Sequence, residues 1–190
     1  MGKPQTLFGK EIALKLTFVG LSGAGKTTLL KHLQKIDPSS SIEETLPTMG
    51  MNIEILKLGI HEILAVDMGG QIQYAEGFWQ PHVETSAAVV FVFDSADAEI
   101  IDEASIWLQR VINWTDKSNT ALLFLANKND KEEALDLKTI IKRLRLSNII
   151  AKRPHSFAVY SISALYGMGV KEAFEWLTIR IERMQGNKKP

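Results

Sequence analysis

The chain has no cysteine among its 190 residues. This excludes disulfides and thiolate metal sites and fits a reducing interior. Neither charge is in excess: lysine plus arginine number 22, and so do aspartate plus glutamate. No basic field therefore draws the chain onto nucleic acid or an acidic membrane, and nucleic acid is not expected among its partners. The histidines, His32, His61, His82 and His155, lie far apart without metal-ligand spacing. Long apolar runs are lacking too. The longest, Ala87 to Phe93, falls well below the roughly 20 residues of a membrane-crossing helix. No secretory signal is read at the start, so a soluble protein is expected. What is present is 45% hydrophobic residues, enough to fill the core of one domain. The expected layout is a flexible segment over residues 1–11, a folded domain over 12–184 and a flexible tail over 185–190.

Apolar runs alternate with helical patterns, the signature of a mostly parallel sheet covered on both faces. Strands are expected over Ile12 to Val19, Met51 to Leu58, Ile60 to Val66, Ala87 to Phe93, Ala121 to Ala126 and Phe157 to Ile162. The second and third, separated by Gly59, read as an antiparallel hairpin at a sheet edge. Three- and four-residue apolar spacing predicts helices over Thr27 to Ile36, Glu99 to Trp114, Leu137 to Arg145 and Val170 to Met184, with a short one near Gly77 to Glu84. The fold class that follows is α/β, a six-stranded mostly parallel sheet with one antiparallel edge strand and helices on both faces.

Gly20 to Thr27 (GLSGAGKT) fits the pattern G-x-x-x-x-G-K-[ST] where the first apolar run hands over to a helix. Successive backbone N–H groups in such a turn, from Gly20 through Ser22, Gly23, Ala24 and Gly25 to Lys26, Thr27 and Thr28, form an anion nest. The helix N-terminus adds roughly half a positive charge. Triphosphate is the natural guest: Lys26 reaches the β and γ phosphates, and the Thr27 hydroxyl binds Mg2+, the one metal expected.

In an open α/β sheet the loops after the strands carry the ligand. Asp67, followed by Gly69, Gly70 and Gln71, offers a carboxylate for the magnesium shell and, at Gly70, a backbone N–H with no side chain to obstruct a γ-phosphate. Gln71 then stands where its amide can align an attacking water, the catalytic role beside Lys26. Thr48 can give a second hydroxyl to Mg2+ and its N–H to the same phosphate. Thr48 and Gly70 together form a two-state sensor of the third phosphate. Asn127, Lys128 and Asp130 (NKND) follow a strand. A carboxylate accepts from N1 and the exocyclic amine of guanine, a donor pair that adenine lacks. Ser163 and Ala164 follow the last strand, and the Ala164 N–H can donate to guanine O6.

In order, GLSGAGKT, PTMGMN, DMGGQ, NKND and SAL resemble the small GTPases of the Ras superfamily over nearly the whole chain, most closely the Arf and Arf-like family. The resemblance implies a P-loop NTPase that hydrolyses GTP to GDP and phosphate with Mg2+, slowly unless helped. It implies GTP-dependent effectors, an exchange factor and a GTPase-activating protein as partners, and a cytoplasmic protein regulating membrane-associated or trafficking processes. It also implies a hairpin that slides in register with nucleotide. Departures are Ser22 for the family's aspartate, and Met51, Val66 and His82 where its aromatic triad is expected, so a different effector surface is expected. Gly2 and Thr6 match M-G-x-x-x-[ST], and an untethered start and a weakly membrane-bound acylated one both fit. Two rivals are a non-hydrolysing GTP-loaded subunit resembling the signal-recognition-particle receptor β subunit, and a phosphotransferase, for which no arginine-rich lid is apparent.

Overall fold

Two buried strands set the architecture. β6 (Ala88–Asp94) and β7 (Ala121–Asn127) are buried at every position, as a strand covered on both faces must be. Their side chains alternate between two cores: Val89, Phe91 and Phe93 with Leu122, Phe124 and Ala126 on one face, Ala88, Val90 and Val92 with Ala121, Leu123 and Leu125 on the other. Phe91 stacks on Phe124 with ring centroids 5.7 Å apart.

The computed structural model describes residues 5–7, 10–12, 14–36, 51–58, 61–69, 72–116 and 120–186. Its remaining strands are β1 (Gln5–Leu7), β2 (Lys10–Ile12), β3 (Leu14–Val19), β4 (Met51–Leu58), β5 (His61–Met68) and β8 (Phe157–Ser161). The six-stranded sheet runs β4-β5-β3-β6-β7-β8, parallel except for the edge strand β4, which is antiparallel to β5 with Asn52 opposite Asp67. β1 and β2 pair as a separate antiparallel ladder, Gln5 opposite Ile12 and Leu7 opposite Lys10.

The helices are α1 (Lys26–Ile36), α2 (Ile72–Glu84), α3 (Ile101–Asp116), α4 (Leu137–Arg143), α5 (Leu146–Lys152) and α6 (Val170–Gly186). Leu29, Leu30 and Leu33 of α1 and Ala173, Phe174 and Leu177 of α6 cover one face; α2 to α5 cover the other. Two helices differ from expectation. α2 begins at Ile72, ahead of the expected start at Gly77; its Trp79 and Val83, one turn apart, are both buried, and Trp79 packs on Trp107 with centroids 5.3 Å apart. The helix expected over Leu137 to Arg145 ends at Arg143 as α4, and α5, directly after it, was not expected: Arg145 turns left-handed at φ 54°, and the break lets Leu144 and Leu146 both reach the core. A left-handed non-glycine residue costs roughly 1–2 kcal/mol, comparable to the gain from burying one leucine, about 1.5–3 kcal/mol.

β3 lies between β5 and β6: from β3 the chain builds β4 and β5 on one side, then crosses from β5 to β6 on the other. This is the topological switch point, and ligands bind at the carboxyl ends of the strands there.

Candidate functional site

At that switch point the turn after β3 is shaped by three left-handed glycines, Gly20, Gly23 and Gly25, at φ 145°, 77° and 94°. A Cβ at Gly20 would lie 2.1 Å from the Val92 carbonyl oxygen, and one at Gly25 only 2.3 Å from Asn127 Nδ2. At Gly23 nothing lies within 4 Å, and Ser22, Gly23, Thr27 and Thr28 are exposed. The turn thus packs tightly on β6 and β7 beneath and opens outward above. Ala24 is buried within it.

Lys26 opens α1 but points back over the turn: its Nζ donates to the Gly20 carbonyl at 2.8 Å and the Leu21 carbonyl at 3.1 Å. Burial pushes its pKa below the usual lysine value, and the charge of Asp67 opposes the shift. Asp67, at the carboxyl end of β5, accepts from Thr27 Oγ1 at 2.7 Å through Oδ2. Its Oδ1 is buried with no hydrogen-bond partner among the described residues. Burial pushes its carboxyl above the ordinary aspartate value, while the Thr27 hydroxyl and then Lys26 pull it back. Glu54 on β4 is raised as well, by burial and by Asp67, with Lys31 opposing; it accepts from Gln34 Nε2 at 2.7 Å. A cleft of about 470 Å³ lies over these groups, lined by Gly23, Lys26, Thr27, Asn52, Asp67 and Gly69 among others.

A buried carboxylate oxygen without a partner, beside a threonine hydroxyl and a crowded ammonium, suits a hard divalent cation with oxygen ligands. Thr27 and Asp67 fit Mg2+ on this ground. Thr48, Gly70 and Gln71 lie outside the described residues.

The other half of the site is built by the loops after β6, β7 and β8. Asn127 ties three loops together: Nδ2 donates to the Ala24 carbonyl at 2.7 Å, Oδ1 accepts from the Ala164 N–H at 2.8 Å, and its carbonyl accepts from Ser95 Oγ at 2.6 Å. The Ala164 N–H expected to face guanine O6 is thus engaged by Asn127. Lys128, left-handed at φ 68°, pairs through Nζ with Asp94 Oδ2. Asp130 is exposed at the loop tip. Ser163 shapes the turn: its Oγ accepts from the Tyr166 N–H at 3.2 Å, and its carbonyl accepts from Gly167 at 2.7 Å.

Asp94, Ser95 and Asn129 were missed by sequence reasoning. Asn129 donates its N–H to the Ile162 carbonyl at 3.1 Å and its Nδ2 to Ser161 Oγ at 3.2 Å. The position of Asp94 and Ser95 directly after a buried strand was the available signal. Of the residues expected at an effector surface, Val66 is instead buried at 1% exposure, as is Trp79. Trp79 Nε1 donates to the Gly69 carbonyl at 3.2 Å. Phe78 is 41% exposed, and Met51 and His82 are half-buried.

The ADP-ribosylation factor family model matches residues 3–181. ADP-ribosylation factor-like protein 1 of Saccharomyces cerevisiae is 33% identical over 179 residues, covering 94% of this chain and 93% of that protein. ADP-ribosylation factor-like protein 3 of the same yeast is 32% identical over 187 residues, covering 96% and 93%. Among solved structures, the Arl6 BBS3 small GTPase of Trypanosoma brucei with bound GppNp superposes with a TM-score of 0.75 at 25% identity, covering 90% of this chain and 98% of that one. With its phosphate turn, paired Thr27 and Asp67 and Asn127 clasp in the order and places such an enzyme needs, the chain belongs to the ADP-ribosylation factor family and is an Arf-like small GTPase.

Proposed function

We propose that the chain hydrolyses GTP to GDP and phosphate with Mg2+, and that it binds partners according to which nucleotide it holds. The observation that carries this reading is the convergence of Lys26, Thr27 and Asp67 on one cleft, with Asp67 Oδ1 unpartnered among the described residues. Mg2+ supplies positive charge to the phosphate oxygens. Thr27, Asp67 and Thr48 are the residues that would hold it. Lys26 exchanges its two loop carbonyls for phosphate oxygens, and Gln71 orients water for in-line attack. The bound GppNp in the trypanosomal relative supports a guanine nucleotide as the guest here. Asp130, exposed at the tip of its loop, is the acceptor for guanine N1 and the exocyclic amine.

No arginine occurs between Lys35 and Gln71, so charge from a partner is needed for fast turnover. An arginine supplied in trans is worth 10^3 to 10^5 in rate. Intrinsic single-turnover hydrolysis is therefore expected well below about one per second. Thr48 and Gly70 sense the third phosphate. Met51 and Phe78 contribute to an effector face, recognised in the cytoplasm or at a membrane surface during trafficking. An exchange factor and an activating protein complete the cycle.

The test is phosphate release from GTP and ATP, with Mg2+ or with chelator, by the parent and by Gln71→Leu. Release specific to GTP and Mg2+, accelerated by cell extract and cut by Gln71→Leu without loss of binding, is the expected result. Hydrolysis unchanged by Gln71→Leu removes that residue from its role. Absence of release under every condition favours a GTP-loaded structural subunit.

A further inference from the structure

At the end of the sheet opposite the nucleotide cleft, where β7 and β8 begin, the ends of α3 and α5 and the side of α6 enclose a second cavity of about 480 Å³. Among the described residues its charged lining is Lys152, Arg153 and Arg180 against the carboxylate of Asp116, with His155 and the Ser156 hydroxyl beside them. We propose that this pocket is a binding site for a phosphate-bearing anion, separate from the nucleotide site.

The floor is Arg153, whose side chain is only 9% exposed. Its guanidinium donates to Thr115 Oγ1 at 2.9 Å, to the Thr120 carbonyl at 2.7 Å and to Ser156 Oγ at 3.4 Å. These neutral acceptors fix its orientation but do not neutralise it. Its acidic partner among the described residues, Asp116, stands 3.7 Å from Nε on a side chain that is 67% exposed and largely water-screened. A buried charge without close compensation is unfavourable, and burial accordingly lowers the Arg153 pKa more than Asp116 raises it.

Arg180 adds a second guanidinium, and its Nε is buried with no hydrogen-bond partner among the described residues. Lys152 adds an exposed ammonium at the rim. The pocket therefore holds an excess of cationic donors converging on one space, with one of them fixed in place. Planar guanidinium groups match phosphate oxygens in this arrangement. A volume of this size admits a phosphorylated headgroup or a small polyphosphate.

The test uses GDP-loaded protein and follows backbone amide shifts by NMR with inorganic phosphate, inositol trisphosphate, and phosphatidylcholine vesicles with or without phosphatidylinositol bisphosphate. The expected result is saturable shifts at Lys152 to Ser156 and near Arg180, weakening with salt, while Gly23 to Thr28 do not move. Lys152→Gln and Arg180→Gln should each weaken binding about tenfold, the loss of one charge-assisted contact. Lys142→Gln, on the exposed side of α4, should not. Response to the soluble probe identifies a free ligand; response to the bisphosphate vesicles alone identifies a lipid headgroup. Thermal melts check that Arg180→Gln folds, and the exposed Lys152→Gln carries the test if it does not. No saturable shift with any probe, or equal weakening by Lys142→Gln, overturns the proposal.

Discussion

The two halves of the nucleotide site differ in how far their polar groups are already satisfied. On the base side, Asn127 uses its amide, its side-chain oxygen and its carbonyl at once, and Lys128 is paired with Asp94. On the phosphate side, Lys26 folds back onto its own loop, Asp67 keeps one buried oxygen unpartnered, and burial disfavours the charge of both. The base side is a preformed socket; the phosphate side is a set of buried charges that only a ligand completes. Affinity and sensing are thereby separated. On the proposed function, nucleotide identity would be read by loops whose polar groups are already paired, and the phosphate by groups that gain most when it arrives.

Substitutions on the two sides should fail differently. The largest effect is expected for Lys26→Ala. Losing two charge-assisted hydrogen bonds to phosphate at roughly 2 kcal/mol each weakens nucleotide binding about a thousandfold. The unfolding stability of ligand-free protein should not fall, because a charge that burial disfavours is removed. Isothermal titration and urea unfolding on the same sample test both arms.

Asn127→Ala should do the reverse, destabilising the ligand-free fold by about 3 kcal/mol, since the buried Ala24 carbonyl and Ala164 N–H both lose their partner. Loss of nucleotide binding with unchanged urea midpoint would place Asn127 on the ligand rather than between the loops.

The glycines of the turn divide along the same line. Gly25→Ala drives a Cβ into Asn127 and should cost well over the roughly 1–2 kcal/mol of left-handed backbone strain. Gly23→Ala meets nothing within 4 Å and should show the strain alone. Equal losses in thermal melts would contradict the tight seating of Gly25.

The smallest effect is a pH dependence. Asp67 and Glu54 have folded-state pKa values raised above their unfolded ones. Between those values the folded protein holds more protons, so the stability of ligand-free protein declines as pH rises through this window. Asp67→Asn should flatten that decline and raise stability at neutral pH. A decline of the same slope in Asp67→Asn, followed by urea midpoints across acidic pH, would assign it to other carboxylates.

Much of this was legible in the sequence where chemistry is local. The spacing of Gly20, Gly25 and Lys26 dictates an anion nest, and the unbroken apolar runs of β6 and β7 dictate central strands. Contacts between distant residues were not legible: nothing near Lys128 announces Asp94, and only the folded loops show that Asn127 takes the Ala164 N–H. Helix bounds differed from expectation twice. The helix expected over Gly77 to Glu84 starts at Ile72, and the buried anchors Trp79 and Val83 hold it on the core. At Arg145 no glycine or proline marks the break between α4 and α5, which tertiary burial of Leu144 and Leu146 imposes.

Amide hydrogen exchange with and without Mg2+ and GTP compares the two halves most directly. Exchange at Gly23 to Thr28 and Asp67 to Gly69 should slow strongly on binding, while Asn127 to Asp130 and Ser163 to Tyr166, already held, should change little. Greater slowing on the base side, with the phosphate turn unaffected, would contradict a preformed base socket and a ligand-completed phosphate site.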